Sequence, residues 1–423
     1  MLASNILGSN MVGYIGISTA IVISTTLGLT VTAQQRSYAL WKVLGIPGRR
    51  IRSVILWQVC AVGLVGGLLG GLLALPTARV YLLTWREFSL FSDDLPLSMP
   101  FFGVPATILV TALFSVLGGL SAARRAANIP ESVPEMQALR EATSPRSRTK
   151  LWQWIAAGFF LIPVILIPIL INFAPETLQS DNTPRMPNLP AKANSPDFES
   201  PGDRAVLGGG IGLMATLAAL FIPNWTVRPL LIGWTSLIPG RNPAWFAARA
   251  NARHRSAFSL TTIVPFAIAV AMTGVFYTVA NAGRAAGGMN GGVNGFLTIM
   301  VPIFFVAGAG GVANIAMVGR TRRQEGALLG VIGARSGTIL GSTVLEGAIY
   351  AITGILFGLA MTLLSAISAA LMSGGGMEVF IGSIPVTTLL PAIGASLVLA
   401  ITTTWLPAQL DRRPVMENLR QPV

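Results

Sequence analysis

Long stretches without charge recur along this chain, and they limit its fold more than any other feature. Nine of them, at 11–32, 54–83, 101–121, 152–173, 205–235, 258–281, 296–318, 338–372 and 385–406, are rich in Leu, Ile, Val, Ala and Gly and nearly free of ionisable groups. About 20 apolar residues in a helix cross the hydrocarbon of a bilayer. Only helices or closed barrels satisfy their backbone groups there. The composition agrees: 52% of the 423 residues are hydrophobic and 11% charged, against roughly 25% charged in a soluble domain. The expectation is an all-α polytopic membrane protein of about nine transmembrane helices. The stretch at 205–235 is the least regular, because Pro223, Asn224 and Arg228 interrupt it.

The net charge of +13 would suit a nucleic-acid binder if it were spread over a soluble surface. Instead, most of the 29 Lys and Arg residues fall on alternate connections, at 33–53, 122–151, 236–257, 319–337 and the tail after 406. Cytoplasmic loops carry such an excess. The basic side is therefore read as cytoplasmic, with the C-terminus inside, the N-terminus outside and no nucleic-acid partner. The opposite connections are modest: a Pro-rich polar one at 174–204 and a Gly-rich one at 282–295. No basic leader precedes the first apolar stretch, since the first charge is Arg36, so no cleavable signal is expected.

Part of the chain is written twice. A shift of 288 positions aligns Ala39 with Ala327, Leu40 with Leu328, Val43 with Val331 and Gly45 with Gly333. It continues through Ile51 and Ile339, Gly66 and Gly354, Leu68 and Leu356, and Gly70 and Gly358. Both blocks end on a similar phrase, "PEMQALR" from Pro134 and "PVMENLR" from Pro414. Both begin and end on the same side, which makes this a parallel duplication. The expected divisions are a first repeat at 1–150, a two-span connector at 151–240 and a second repeat at 241–423.

With "SYALWKVLGI" from Ser37, "EGALLGVIGA" from Glu325 and "NPAWFAARANARHRS" from Asn242, the chain resembles the FtsX-like permease family. These are the membrane subunits of ABC transporters, similar to macrolide-exporter, lipoprotein-release and peptide-antibiotic-resistance permeases. The last phrase matches the amphipathic elbow before the first helix of a family repeat. The first copy departs from the pattern. It has Gln58 where the second has Glu346, and it starts without the elbow and first helix. Three explanations stay open: a misplaced start, a natural truncation, or a second membrane subunit that supplies the helix. The sizeable extracellular domain of some relatives is also missing here.

The resemblance implies that each basic segment couples to a separate ABC ATPase dimer, which binds ATP and Mg. The implied coupling residues are Arg36, Ala39, Leu40, Leu44, Gly45, Arg49 and Arg50 in the first copy. In the second they are Arg323, Glu325, Ala327, Leu328 and Gly333. From the residues alone, a short amphipathic helix ended by Gly suits either a groove on a soluble partner or lipid headgroups. Gly63, Gly66, Gly67, Gly70, Gly71, Gly354 and Gly358 are expected at helix contacts, where small residues let backbones approach. Glu346 is the one acid inside an expected span and, with Gln58, a candidate intramembrane polar site. Trp152, Trp154, Trp234, Trp245 and Trp405 read as interfacial anchors.

No GxxxxGK(S/T) loop is present, so the chain itself is not expected to hydrolyse ATP. His254 and Cys60 are remote from one another, so no metal site, cofactor or catalytic group is expected in this chain. The expected activity is non-enzymatic: export or extraction of a lipid-like, peptide or drug-like substrate across a bacterial plasma membrane. An ATP-independent secondary transporter and a membrane scaffold or sensor that relays ATPase state are the alternatives.

Overall fold

The computed structural model describes residues 16–31 apart from 25 and 29, 34–87, 103–128, 151–173, 201–287 apart from 241 and 255, 304–315, 330 and 333–410. These residues are helical throughout, with short turns and no strand among them. The elements are α1 (Gln35–Val43), α2 (Gly48–Glu87), α3 (Gly103–Ala127), α4 (Leu151–Phe173), α5 (Pro201–Phe221) and α6 (Pro223–Leu237). They are followed by α7 (Pro243–His254), α8 (Ser256–Ala285), α9 (Ser336–Ser373), α10 (Gly376–Ser383) and α11 (Val386–Leu410). Two apolar helical runs, Gly16–Gly28 and Phe304–Ile315, complete the set.

Among the described residues six segments are long and apolar enough to cross a membrane: Gly48–Leu73, Gly103–Arg124, Pro201–Phe221, Ser259–Ala285, Ser336–Ser373 and Gly376–Trp405. The remaining expected spans correspond to the shorter runs Gly16–Gly28, Gln153–Leu166 and Phe304–Ile315. The protein is therefore a multi-pass membrane protein. The expectation at 205–235 is corrected. The helix breaks at Ile222, because Pro223 lacks the N–H that would continue the ladder and starts α6 instead.

The main core gathers around α8 and α9. Of the hydrophobic window in α8, 94% is buried inside the protein, and Ile263, Val264, Ala267, Ile268, Ala271 and Met272 interlock with Ile349, Tyr350 and Phe357 of α9. Backbone contact fixes this crossing. A Cβ on Gly354 would lie 2.9 Å from the Ala267 nitrogen, and one on Gly358 would lie 2.9 Å from that of Ala271. On the adjoining face of α9, α5 approaches through Gly208 and Gly209. Their carbonyls accept hydrogen bonds from Ser368 Oγ at 2.7 Å and Ser365 Oγ at 3.1 Å. Lipid offers helices no hydrophobic contrast, so such close packing and polar bonding hold them together.

A second, smaller core joins α2 and α3. Ile51, Ile55 and Val59 pack on Ala122, Ala123 and Ala126. Gly63, Gly67 and Gly71 form the seam: an added Cβ would meet Ser115 Oγ at 2.8 Å, Ile108 Cα at 2.8 Å and Val104 Cγ1 at 2.9 Å respectively. Gly66 and Gly70 do not belong to it, and an added Cβ there would meet nothing within 4 Å. For these two the expected packing role is not found among the described residues, because they lie on the side of α2 turned away from α3. The two cores meet through the shorter runs, where Gly310 abuts Val22.

These contacts predict opposite outcomes for neighbouring glycines. Gly67→Leu should destabilise the purified protein by about 1–3 kcal/mol, seen as a lower melting temperature in detergent, while Gly66→Leu should melt like the parent. Equal melting temperatures for the two variants would contradict the seam.

Candidate functional site

The candidate site is the basic turn that leads into the long helix α2. Helix α1 divides into two faces. Tyr38 is buried among Ile51, Ile55, Ala122 and Ala126, with Ala39 half-buried beside them. Tyr38 Oη donates a 2.8 Å hydrogen bond to Gln34 Oε1, and burial pushes its pKa up, which favours the neutral hydroxyl that this bond needs. The other face is open: Leu40 is 55% exposed, Val43 68% and Leu44 78%. Three exposed apolar side chains on an anchored helix are a docking surface in form.

The end of α1 is fixed by its backbone. Gly45 takes φ +84°. Its N–H donates to the Lys42 carbonyl at 2.8 Å, and the N–H of Ile46 reaches the Trp41 carbonyl at 3.0 Å. This is a Schellman cap, and the left-handed residue it requires is normally glycine. Pro47 follows, and its carbonyl accepts from Arg50 N at 2.9 Å and opens α2. Arg49 and Arg50 then stand exposed beside the apolar face of α1.

The same backbone pattern recurs 288 positions later. Gly333 takes φ +97°, and its N–H donates to the Gly330 carbonyl at 3.0 Å. The Arg335 carbonyl accepts from Thr338 N at 2.9 Å and opens α9. Gly45 with Lys42 therefore corresponds to Gly333 with Gly330, and Pro47 with Arg50 to Arg335 with Thr338. Arg323, Glu325, Ala327 and Leu328 lie outside the described residues, as does the side chain of Arg36.

Glu346 is buried, with 3% of its surface exposed. Tyr350 Oη donates to its carboxylate. Ser259 Oγ lies 3.3 Å from the Tyr350 oxygen and donates at 2.7 Å to the Ala252 carbonyl. A polar chain thus runs from α9 through the start of α8 to the end of α7, and Glu346 acts as a structural tie at the level of the elbow. Its counterpart Gln58 is exposed, so the structure does not bring the two together as one polar site.

The elbow is held from its other side by a feature that the sequence reading missed. Arg253 Nη2 donates to the Ile232 carbonyl at 2.9 Å and its Nε to Thr235 Oγ1 at 3.0 Å. Arg249 Nη1 reaches the Ile238 carbonyl at 3.1 Å. Arg249 caps the end of α6, where carbonyls lack helical partners and the dipole is negative, and Arg253 braces the turn before it. Burial and the nearby Arg249 lower the pKa of Arg253. The signal in the sequence was the i, i+4 spacing of these arginines opposite the Ala244, Ala248 and Ala252 stripe, which is buried. Trp234 and Trp245 are also reassigned. They lie 6.1 Å apart by ring centroids, and Trp234 Nε1 donates to Thr353 Oγ1 at 2.9 Å, so they join the connector to the core.

The family model described as FtsX-like permease C-terminal matches residues 11–130 and 297–413, more than half of the chain. The two matched segments contain the two Gly-capped turns. No curated protein and no solved structure matches the chain.

Two changes test this geometry. Gly45→Ala should cost about 1–2 kcal/mol of cap stability and speed amide hydrogen exchange across Gln35–Ile46. Tyr350→Phe should cost about 1–3 kcal/mol, because it leaves a buried polar group short of a partner, and should lower the melting temperature. Unchanged exchange in the first variant, or unchanged melting in the second, would contradict the assignment.

Proposed function

Because the chain belongs to the FtsX-like permease family, we propose that it is the permease subunit of an ABC transporter, with the Gly-capped turns as its contacts to the ATPase. The observation that carries this reading is the exposed apolar face of α1, anchored beneath by Tyr38 and followed by the exposed Arg49 and Arg50 at the start of α2. A flexible segment would lose motion before it reached the membrane. A helix capped by Gly45 and continuous, but for one turn, with the 40-residue α2 would pass a push at the inner surface directly into the bundle.

The rest of the reading follows from the sequence and the family. The chain is a parallel duplication of about nine spans in a bacterial plasma membrane, with its basic turns cytoplasmic. ATP and Mg belong to a separate ATPase dimer, whose two subunits engage the two turns. Closure of that dimer on ATP drives export or extraction of a lipid-like, peptide or drug-like substrate. This chain is the non-enzymatic partner. The hydrogen bond from Tyr350 to Glu346 favours this reading over a secondary transporter, since the one buried acid among the described spans already serves a structural bond.

The test is co-expression with a candidate ABC ATPase. Leu40→Asp with Leu44→Asp, or charge reversal at Arg49, Arg50 and Arg52, should reduce co-purification by about tenfold or more and leave the amount of inserted permease unchanged. Full co-purification of both variants would overturn the proposal.

A further inference from the structure

The paired ends of α2 and α3 carry a block of positive charge. Arg49, Arg50 and Arg52 open α2, and Arg124 stands near the end of α3. The one acid within α1, α2 and α3 is Glu87, at the opposite end of α2. Packing sets two of these charges at one height. A Cβ on Gly48 would lie 2.6 Å from the Ala127 carbonyl oxygen, and one on Gly119 would lie 3.0 Å from Val59 Cγ1. Arg52 is about one turn past Gly48 and Arg124 about one turn before Ala127, so both fall between those contacts. Arg124 is exposed and Arg52 half-buried. An anion lying between the two guanidinium groups would relieve their repulsion.

An open groove of about 270 Å³ begins just beyond these arginines, lined by Ser53, Leu56, Trp57, Cys60 and Val116. From Ser53 to Cys60 it follows α2 for about 10 Å, and its walls are mostly apolar. The run Gly16–Gly28 packs on α3 at Gly118, through Ala20 and Ile23. Val116 stands about 200° away from Gly118 around the helix, so the groove opens on the other side of the pair. Half the hydrocarbon layer of a bilayer is about 15 Å deep. The groove therefore leads from the charged edge into the apolar half-layer next to it.

Positive charge at the rim and an apolar channel behind it match an amphiphile with an anionic head. A guanidinium fork takes two phosphate oxygens at once, and basic pockets between transmembrane helices bind anionic headgroups. A free phosphate would meet the arginines but leave the groove empty. A soluble protein would meet the arginines but not reach into the apolar layer. Trp57, 70% exposed, forms a wall that an acyl chain can cover.

We propose that the groove between α2 and α3 is a binding site for an anionic phospholipid. Arg52 and Arg124 hold its phosphate, and one acyl chain lies along Leu56, Cys60 and Val116. The bound lipid ties the start of α2 to the end of α3, at the foot of the Gly45 turn. A zwitterionic phospholipid brings its own ammonium to the same arginines and binds less well. The proposal does not rest on the ATPase: failure of the Leu40 and Leu44 variants to alter ATPase binding would leave it intact.

The test is native mass spectrometry of the full chain in detergent, titrated with phosphatidylglycerol or phosphatidylcholine and without any ATPase. We expect a saturable phosphatidylglycerol adduct, retained about tenfold better than phosphatidylcholine and not displaced by excess inorganic phosphate. Arg52→Gln with Arg124→Gln should lower its retention about tenfold. Cys60→Phe, which fills the groove and spares the arginines, should lower it too, while Arg50→Gln should bind like the parent. Phosphatidylglycerol should also raise the melting temperature of the parent and not that of the double arginine variant. The melting temperature of each variant in phosphatidylcholine checks that it is folded. Equal retention of the two lipids, an unchanged double variant, or an equal loss in Arg50→Gln would overturn the proposal. So would displacement by inorganic phosphate together with an unaffected Cys60→Phe, which would mark a soluble anion as the ligand.

Discussion

In hydrocarbon an apolar side chain gains nothing by leaving lipid for protein, so helices associate where their backbones can come close. The rest of this structure depends on that constraint. The helix α8 is almost wholly enclosed because Gly354 and Gly358 let it touch α9 along the main chain. The pairing of α2 with α3 uses Gly63, Gly67 and Gly71 in the same way. Serine and threonine hydroxyls add directional bonds at these seams, as at Ser365 and Ser368. A bundle so built is stiff at its crossings, and in the proposed function its long helices would carry displacement from one membrane surface toward the other.

The two Gly-capped turns stand where such displacement would enter. Each turn puts a left-handed glycine just before a long helix, and each helix is opened by a carbonyl two residues after that glycine. In the first, Tyr38 anchors one side of α1 while Leu40, Val43 and Leu44 remain available on the other. The elbow α7 is tied by Arg249 and Arg253 to the end of α6 and by Ser259 to the Glu346 chain. The edge of the bundle at the elbow is therefore a connected frame.

Much of this architecture was legible in the sequence, because bilayer thickness, basic loops and a repeated register are coarse signals. Six of the nine expected spans are helices long and apolar enough to cross, and the turns at Gly45 and Gly333 followed directly. Less could be read of which face each residue would present. Gly66 and Gly67 are adjacent and chemically identical, yet one meets Ile108 and the other meets nothing. Hydropathy does not separate them, since both sides of α2 are apolar. Glu346 was visible as an isolated acid and Tyr350 stands one turn along the same helix, but the onward link through Ser259 to the Ala252 carbonyl depended on packing that brings α8 and the elbow to their level. Trp234 read as an interfacial anchor because its composition and place in the chain fit one. Only the break at Ile222 turns it inward toward Thr353.

The central claim is that both capped turns face the cytoplasm, where a nucleotide-driven partner can grip them. The most direct measurement is labelling of Leu44→Cys and, separately, Gly333→Cys, each in a Cys60→Ser background, with a membrane-impermeant maleimide in right-side-out and inverted vesicles. The account predicts that both positions label in inverted vesicles and neither in right-side-out ones. Labelling of either from the outer side would contradict it.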